Sequence, residues 1–333
     1  MNNFEYAQPQ NLPDLLDLLS PESGKTELLG GGTDLVGLMK KMIVTPDRVV
    51  NVCDVAELQG VERDGQSDDL LLGAAVRLDE LLADPQLEPF GALKDAIRGT
   101  ASRQFQAQST LGGELLRRPR CWYFRDGHGL LADDGKMIID GDSRCHAILG
   151  NSGPAKFVNA SRLAPALIAL GAKALLIGPT LEDRRELLLE DLYRTPVHEG
   201  ERENVLGSHE VLTRVSLPTR PDVTSATYEV RHGEGPNEPL AAAAAALQLE
   251  GNVVRDAKVA LGHVAPTPWV ADEAAREIIG QPISDYVAQA AGRAAVALAT
   301  PLKDNEYKIQ VAKVAVSRAI LQAARLPTGG FYA

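Results

Sequence analysis

Two glycine clusters are the residues of this sequence best suited to chemistry: Gly30-Gly31-Gly32-Thr33-Asp34 and Ser109-Thr110-Leu111-Gly112-Gly113-Glu114. Glycine lets a backbone approach a ligand closely, and amide N–H groups at the start of a following helix point at an anion. Each cluster is therefore a candidate phosphate cradle, or else a tight turn in a packed α/β unit. Neither is followed by Lys-Ser or Lys-Thr as in a P-loop, and neither has the G-x-G-x-x-G spacing of a dinucleotide fingerprint. Two such turns in one chain suggest that each presents amides to one side of the same diphosphate. Other reactive side chains are sparse. Cys53, Cys121 and Cys145 are an odd, low count, which argues against a disulfide scaffold and for a reducing compartment, the cytoplasm. Cys53 is expected in the core, and Cys121 and Cys145 as buried, inert thiols. His128 is expected at the surface, His146 as a partly buried structural residue and His263 at a strand end. No Ser-His-Asp, HExxH or paired CxxC pattern occurs, so hydrolase and zinc readings have no support.

The elements that must position the two turns follow from apolar spacing. Asn11 reads as a cap, and Leu12, Leu15, Leu16 and Leu19 give a helix over Pro13–Leu19. Glu27–Leu29 reads as a strand that meets the first glycine turn. Leu35, Val36, Leu38 and Met39 then continue at helical spacing. Arg48–Val52 and Leu70–Gly73 are further strands, and Leu78–Leu82 and Pro89–Ala101 helices. Arg117–Asn151 has no clean periodicity, and a loop that long in a compact domain is often functional. Leu163–Gly171 reads as a helix, and Lys173–Ile177 and Val211–Leu217 as strands. Pro218–Asp222 is a candidate linker. Thr227–Arg231, Leu240–Glu250 and Val259–His263 then form an antiparallel sheet, with Asn252–Arg255 as a turn. The six alanines Ala241–Ala246 favour helix by propensity, while their flanks fit a buried strand. Asp272–Ile279, Tyr286–Leu298 and Tyr307–Ala324 read as helices. The class is α+β: an α/β region covering two thirds of the chain, then a separate α+β domain.

Composition bounds the function. A chain of 333 residues implies about two domains. Its 44% hydrophobic and 24% charged residues are those of a globular protein. A net charge of −11 argues against nucleic acid or an anionic membrane as partner. The most apolar stretch, Pro239–Leu249, is about half the ~20 residues of a membrane span, and MNNFEYAQPQ carries no leader pattern.

Four segments, in order, resemble the FAD-binding middle subunit of the molybdenum hydroxylases, the group of xanthine dehydrogenase, carbon monoxide dehydrogenase and aldehyde oxidoreductase. Leu28-Leu29-Gly30-Gly31-Gly32-Thr33-Asp34-Leu35 is similar to the first flavin-diphosphate loop, and Ser109-Thr110-Leu111-Gly112-Gly113-Glu114-Leu115 to the second. Gly262-His263-Val264-Ala265-Pro266-Thr267-Pro268-Trp269 resembles a hallmark of the C-terminal domain, and Asn305-Glu306-Tyr307-Lys308 opens the last helix in the same way. The resemblance implies a flavin-binding region of two small α/β subdomains (vanillyl-alcohol-oxidase-like), 1–60 and 61–218, the latter with an inserted segment at about 117–151. A C-terminal α+β domain, 222–330, would hold a three-stranded antiparallel sheet and a helix bundle. It implies FAD held by Leu29, Gly30, Gly31, Gly32, Thr33, Asp34, Leu35, Ser109, Thr110, Gly112, Gly113 and Glu114, with Arg162, Leu163 and Tyr193 near the flavin. It implies no acid–base catalyst in this chain. The partners would be a molybdopterin-binding large subunit and a small subunit with [2Fe–2S] clusters. Electrons would pass through FAD to NAD+, oxygen or another acceptor.

The sequence also departs from that pattern. Arg118-Pro119-Arg120-Cys121-Trp122-Tyr123-Phe124-Arg125 resembles subunits with an insertion that in some carries a [4Fe–4S] cluster. Here only Cys121 and Cys145 stand in the segment, too few for the usual four thiolates, so no cluster is expected. Glu114 replaces the usual Asn, and Arg162 stands where an acid lies by the flavin. A carboxylate beside a diphosphate is repelled unless it turns away or is protonated. Glu114 and Arg162 are either a compensating pair or solvated surface residues. Two alternatives to the electron-transfer subunit therefore remain: a docking subunit without FAD, and a stand-alone FAD oxidoreductase.

Overall fold

A computed structural model describes residues 1–233, 235 and 237–328; the expected domain end at residue 330 lies outside them. The first sheet is parallel, with order β1-β3-β2 for β1 (Glu5–Ala7), β2 (Thr26–Leu29) and β3 (Arg48–Asn51). β1, too short and polar to read from sequence, pairs with β3, and Leu29 of β2 lies opposite Asn51. The helix Leu12–Asp17 begins as expected, with the Asn11 side chain accepting the Asp14 amide at 2.9 Å. Leu12, Leu15 and Leu16 bury against Val50 and Val52, together with Ile177 and Val211 of the next sheet.

That second sheet is antiparallel throughout: β4 (Val61–Arg63), β5 (Leu70–Gly73), β6 (Lys173–Ile177), β7 (Arg184–Leu188) and β8 (Val211–Leu217), in the order β4-β5-β8-β6-β7. β8 is its centre although it is last in sequence. β7 escaped the sequence reading because an edge strand of Arg184, Arg185 and Glu186 has no apolar face to betray it. The helices Gly91–Gly99 and Leu163–Ala169 bury Leu93, Ile97, Leu163 and Leu167 into the core of this unit.

The third sheet, β12-β11-β10-β9, comprises β9 (Val223–Val230), β10 (Ala241–Glu250), β11 (Val253–Gly262) and the two-residue β12 (Trp269–Val270). Three long strands were expected; β12 adds a short fourth. The alanine run is strand β10, and both of its faces are buried. Ala241, Ala243 and Ala245 join the core of the C-terminal helices, while Ala244 and Ala246 join the core that holds Leu163 and Leu167. Tertiary packing thus overrides alanine's helix propensity, because burial against a layer on each face stabilises the strand. The helices Asp272–Ile278, Asp285–Ala295 and Tyr307–Ala323 cover the first of these faces. The inserted segment is not a plain loop. It folds into the short helices Trp122–Arg125 and Lys136–Asp140 around Phe124, Leu131, Ile138 and Phe157.

Candidate functional site: a cleft between two glycine turns

The first glycine turn leaves β2 and enters the helix Leu35–Lys40. Gly32 has φ +71°, a left-handed conformation that favours glycine. Gly30 and Gly31 are required by proximity instead. A Cβ on Gly31 would overlap the carbonyl oxygen of Gln108, and one on Gly30 would lie 2.6 Å from Thr110 Oγ1. The Thr33 and Ser109 hydroxyls meet at 3.1 Å. The two turns are therefore adjacent in space.

They are not equivalent. The amides of Gly30, Gly31, Gly32, Thr33 and Asp34 donate to no acceptor among the described residues. In the second turn the Leu111 amide donates to Val76 O (2.9 Å), that of Gly112 to Ala74 O (2.7 Å) and that of Glu114 to Thr110 O (2.9 Å). The Gly113 amide is taken by Thr110 Oγ1 at 3.2 Å. The expectation was that both turns present amides. The first has five of them free, whereas the second keeps only that of Thr110 without an acceptor among the described residues and mainly supplies close approach.

Both turns line a cleft with about 1,420 Å³ of empty space, its open mouth included. Gly30–Leu35, Thr110, Gly112, Gly113, Arg117 and Arg118 are among its lining residues. The lining also includes Arg202, Asn204 and Leu206 through Ser208, which the sequence reading missed. Arg202 pairs with Glu27, and no motif marks it. Leu29, Ser109, Glu114, Arg162, Leu163 and Tyr193 stand behind the lining. Leu163 is fully buried, and the buried Tyr193 hydroxyl donates to Leu115 O at 3.0 Å. Asp34 faces the insertion: it accepts from the Arg118 amide at 3.0 Å and pairs with Arg125 at 2.8 Å.

Glu114 and Arg162 are not surface residues: they are 4% and 3% exposed. Nor do their side chains pair. Glu114 Oε1 accepts from the Arg162 backbone amide and from Arg117 Nη1, both at 3.1 Å. The Arg162 guanidinium instead donates to Glu229 Oε2 (3.0 Å), to Asn237 O (2.6 Å) and to Gly99 O. Arg117 Nη2 donates to Glu238 Oε1 at 2.7 Å. Burial pushes the Glu114 and Glu229 carboxyls above the usual carboxylate range, against the pull of Arg117 and Arg162 respectively. For Glu238 burial acts the same way, but the Arg117 and Arg162 guanidinium groups outweigh it and hold the carboxyl at about 2. Glu114 thus turns away from the cleft, which removes the conflict with a diphosphate.

In the insertion, Cys121 Sγ lies 3.2 Å from His146 Nε2, and the imidazole sits edge-on to Trp122 with ring centroids 5.6 Å apart. Burial, aided by the nearby Lys308 charge, pushes His146 down to about 4, and burial raises the Cys121 thiol. Both groups are therefore neutral at pH 7. Cys145 is exposed and Cys53 half-buried, which corrects the expectation that both are buried. Among the described residues no group of three or more His, Cys, Asp or Glu is arranged to hold a metal ion. His128 is exposed, and His263 follows β11 at φ +62°.

A family model described as the FAD binding domain in molybdopterin dehydrogenase matches residues 2–220. The chain belongs to this family. A model of the CO dehydrogenase flavoprotein C-terminal domain matches residues 230–323. The chain is 29% identical over 330 residues to the aldehyde oxidoreductase FAD-binding subunit PaoB of Escherichia coli, covering 97% of this chain and 99% of the relative. It is 24% identical over 322 residues to the carbon monoxide dehydrogenase medium chain of Hydrogenophaga pseudoflava, covering 95% and 96%. The fold superposes on carbon monoxide dehydrogenase from Hydrogenophaga pseudoflava with a TM-score of 0.77 at 22% identity, over 98% of this chain and 99% of that one. For quinoline 2-oxidoreductase from Pseudomonas putida 86 the TM-score is 0.75 at 21% identity, over 97% and 98%. FAD is the family's cofactor, and the cleft's lining fits it: five free amides suit a diphosphate.

Proposed function

We propose that this chain is the flavin-binding electron-transfer subunit of a heteromeric molybdenum hydroxylase. The observation that carries the reading is the row of free amides from Gly30 to Asp34, in residues that line the same cleft as Thr110, Gly112 and Gly113 of the second glycine turn. In this reading the cleft separates residues 1–60 from 61–218, and the region from 222 onward is a separate C-terminal unit. FAD, when bound, supplies the capacity to take electrons from one-electron carriers and release them in pairs. The chain's own residues bind and orient it. The Gly30–Asp34 amides hold the diphosphate, Gly112 and Gly113 give it room, and Arg117 and Arg118 offer positive charge along the wall. Arg202 also lines the cleft, tethered by Glu27.

Family membership and the subunit names of the relatives support a place in a larger complex. A molybdopterin-binding large subunit would oxidise the substrate, and a small subunit with [2Fe–2S] clusters would deliver the electrons. NAD+, oxygen or a quinone-like compound would receive them. The docking-subunit alternative rested on Glu114 and Arg162, and both turn away from the cleft. Among the described residues no helix is long and apolar enough to cross a membrane.

An absorption spectrum of the purified chain, followed by denaturation to release the flavin, tests the reading. One FAD per chain is the expected result. A folded protein that stays colourless in excess FAD, alone and in the assembled complex, would favour the docking subunit. Sizing with candidate large and small subunits separates both from a stand-alone oxidoreductase, which would form no complex.

A further inference from the structure

Arg117 is the cleft-lining cation that the protein holds most firmly. It lies four residues beyond Gly113, and its side chain is 14% exposed. Three acceptors fix the guanidinium: Glu114 Oε1 at 3.1 Å, Ala160 O at 3.3 Å and Glu238 Oε1 at 2.7 Å. Two of them come from the same region of the fold, whereas Glu238 comes from the segment between β9 and β10, 121 residues away in sequence. Arg120 and Arg162 also approach Glu238, at 3.8 and 3.7 Å. Arg118, the neighbouring arginine of the lining, is held by Glu203 at 2.9 Å and has no partner from the C-terminal region among the described residues.

We propose that Arg117 is a cofactor-binding residue that sets the flavin's reduction potential, and that Glu238 of the C-terminal region is the positioning residue that aims and partly neutralises it. This rests on the flavin reading above. Reduction of a flavin by two electrons and one proton adds one negative charge. A fixed, poorly solvated cation beside the cleft favours that charge, and an ionised carboxylate behind the cation opposes it. Arg117 and Glu238 form one ion pair, yet their charges act on the cofactor with opposite signs. A pair that served only to hold the fold together would give no such opposition.

The test uses the full chain loaded with FAD, and reads midpoint potential by dye-coupled reduction and FAD affinity by titrating the apoprotein. Arg117→Gln should lower the potential by ~30 mV, which is a tenfold loss in relative stability of the reduced form for a two-electron couple, and should weaken FAD binding. Glu238→Gln keeps an oxygen that can accept from Arg117 but removes the charge, so it should raise the potential. Arg117→Lys should return the potential toward wild type. Should Arg117→Gln not fold, the Glu238→Gln shift decides alone: upward supports the proposal, and none or downward overturns it. Shifts of the same sign in both variants, or none in either, also overturn it. A wild-type chain that binds no FAD removes the flavin reading itself, a different failure from a wild type that binds FAD while its variants do not diverge.

Discussion

A methyl group at Gly31 would overlap the carbonyl oxygen of Gln108, so the two glycine turns can touch only while residue 31 is glycine. Gly31→Ala should push them apart, lowering stability by about 2–4 kcal/mol and emptying the cleft. Gly37→Ala is the control. That glycine lies in the helix Leu35–Lys40 with open space around it, and alanine there should stabilise by up to ~1 kcal/mol. Melting temperature and flavin-to-protein ratio report both. Buried histidines give a second prediction at this scale. Burial pushes His146 to about 4 and His263 to about 3, below the ~6.5 of an unfolded chain. As pH falls below ~6.5 the unfolded state takes up protons first, so stability is lost from there toward 4, on the order of 1–2 kcal/mol per histidine by pH 5. Urea midpoints at pH 7 and pH 5 should differ in that direction, and the drop should shrink in His146→Gln. Glu114 and Arg162 mark what one-dimensional reading misses at this scale. Both stood out as departures from the family pattern, but whether a carboxylate faces a ligand or turns its back is decided by Arg117 and the Arg162 amide, and no residue spacing encodes that.

Among the elements, the insertion is held by a buried side chain from the far end of the chain. Lys308, near the start of the helix Tyr307–Ala323, donates to the carbonyls of His263 (2.6 Å), His146 (3.1 Å) and Cys145 (3.4 Å). It fastens the insertion to the end of β11. Lys308→Met fills the space but strands three carbonyls, and should cost about 2–4 kcal/mol, read as a lower urea midpoint. Elements were legible where a single period dominated. Leu12, Leu15 and Leu16, the Val211–Leu217 run and the last helix came out close to their expected spans. β7 and the helix Arg103–Gln108 did not, because both carry polar faces whose order comes from neighbours. The alanine run needed the third dimension too, since only two facing layers explain a strand made of helix formers.

For the molecule as a whole, the glycine turns were visible in sequence as a shared site, while the rest of the cleft lining was not. Arg202, Asn204 and Leu206–Ser208 belong to the approach to β8 and carry no motif. Their position depends on the order β4-β5-β8-β6-β7, a non-local arrangement that local patterns do not report. That order also has a consequence for biosynthesis. β5 ends at Gly73 and takes β8, which begins at Val211, as its neighbour. A ribosome delivers these strands far apart in time. Until β8 emerges, the sheet has no centre and the cleft lacks the lining that leads into β8. A truncated chain ending at residue 205 should therefore carry no flavin when isolated with its ribosome, as fluorescence after denaturation would report, whereas the released full-length chain should. Cofactor insertion is then a late step of synthesis, and every molecule passes through an apo stage with its half-built sheet edge open to other nascent chains.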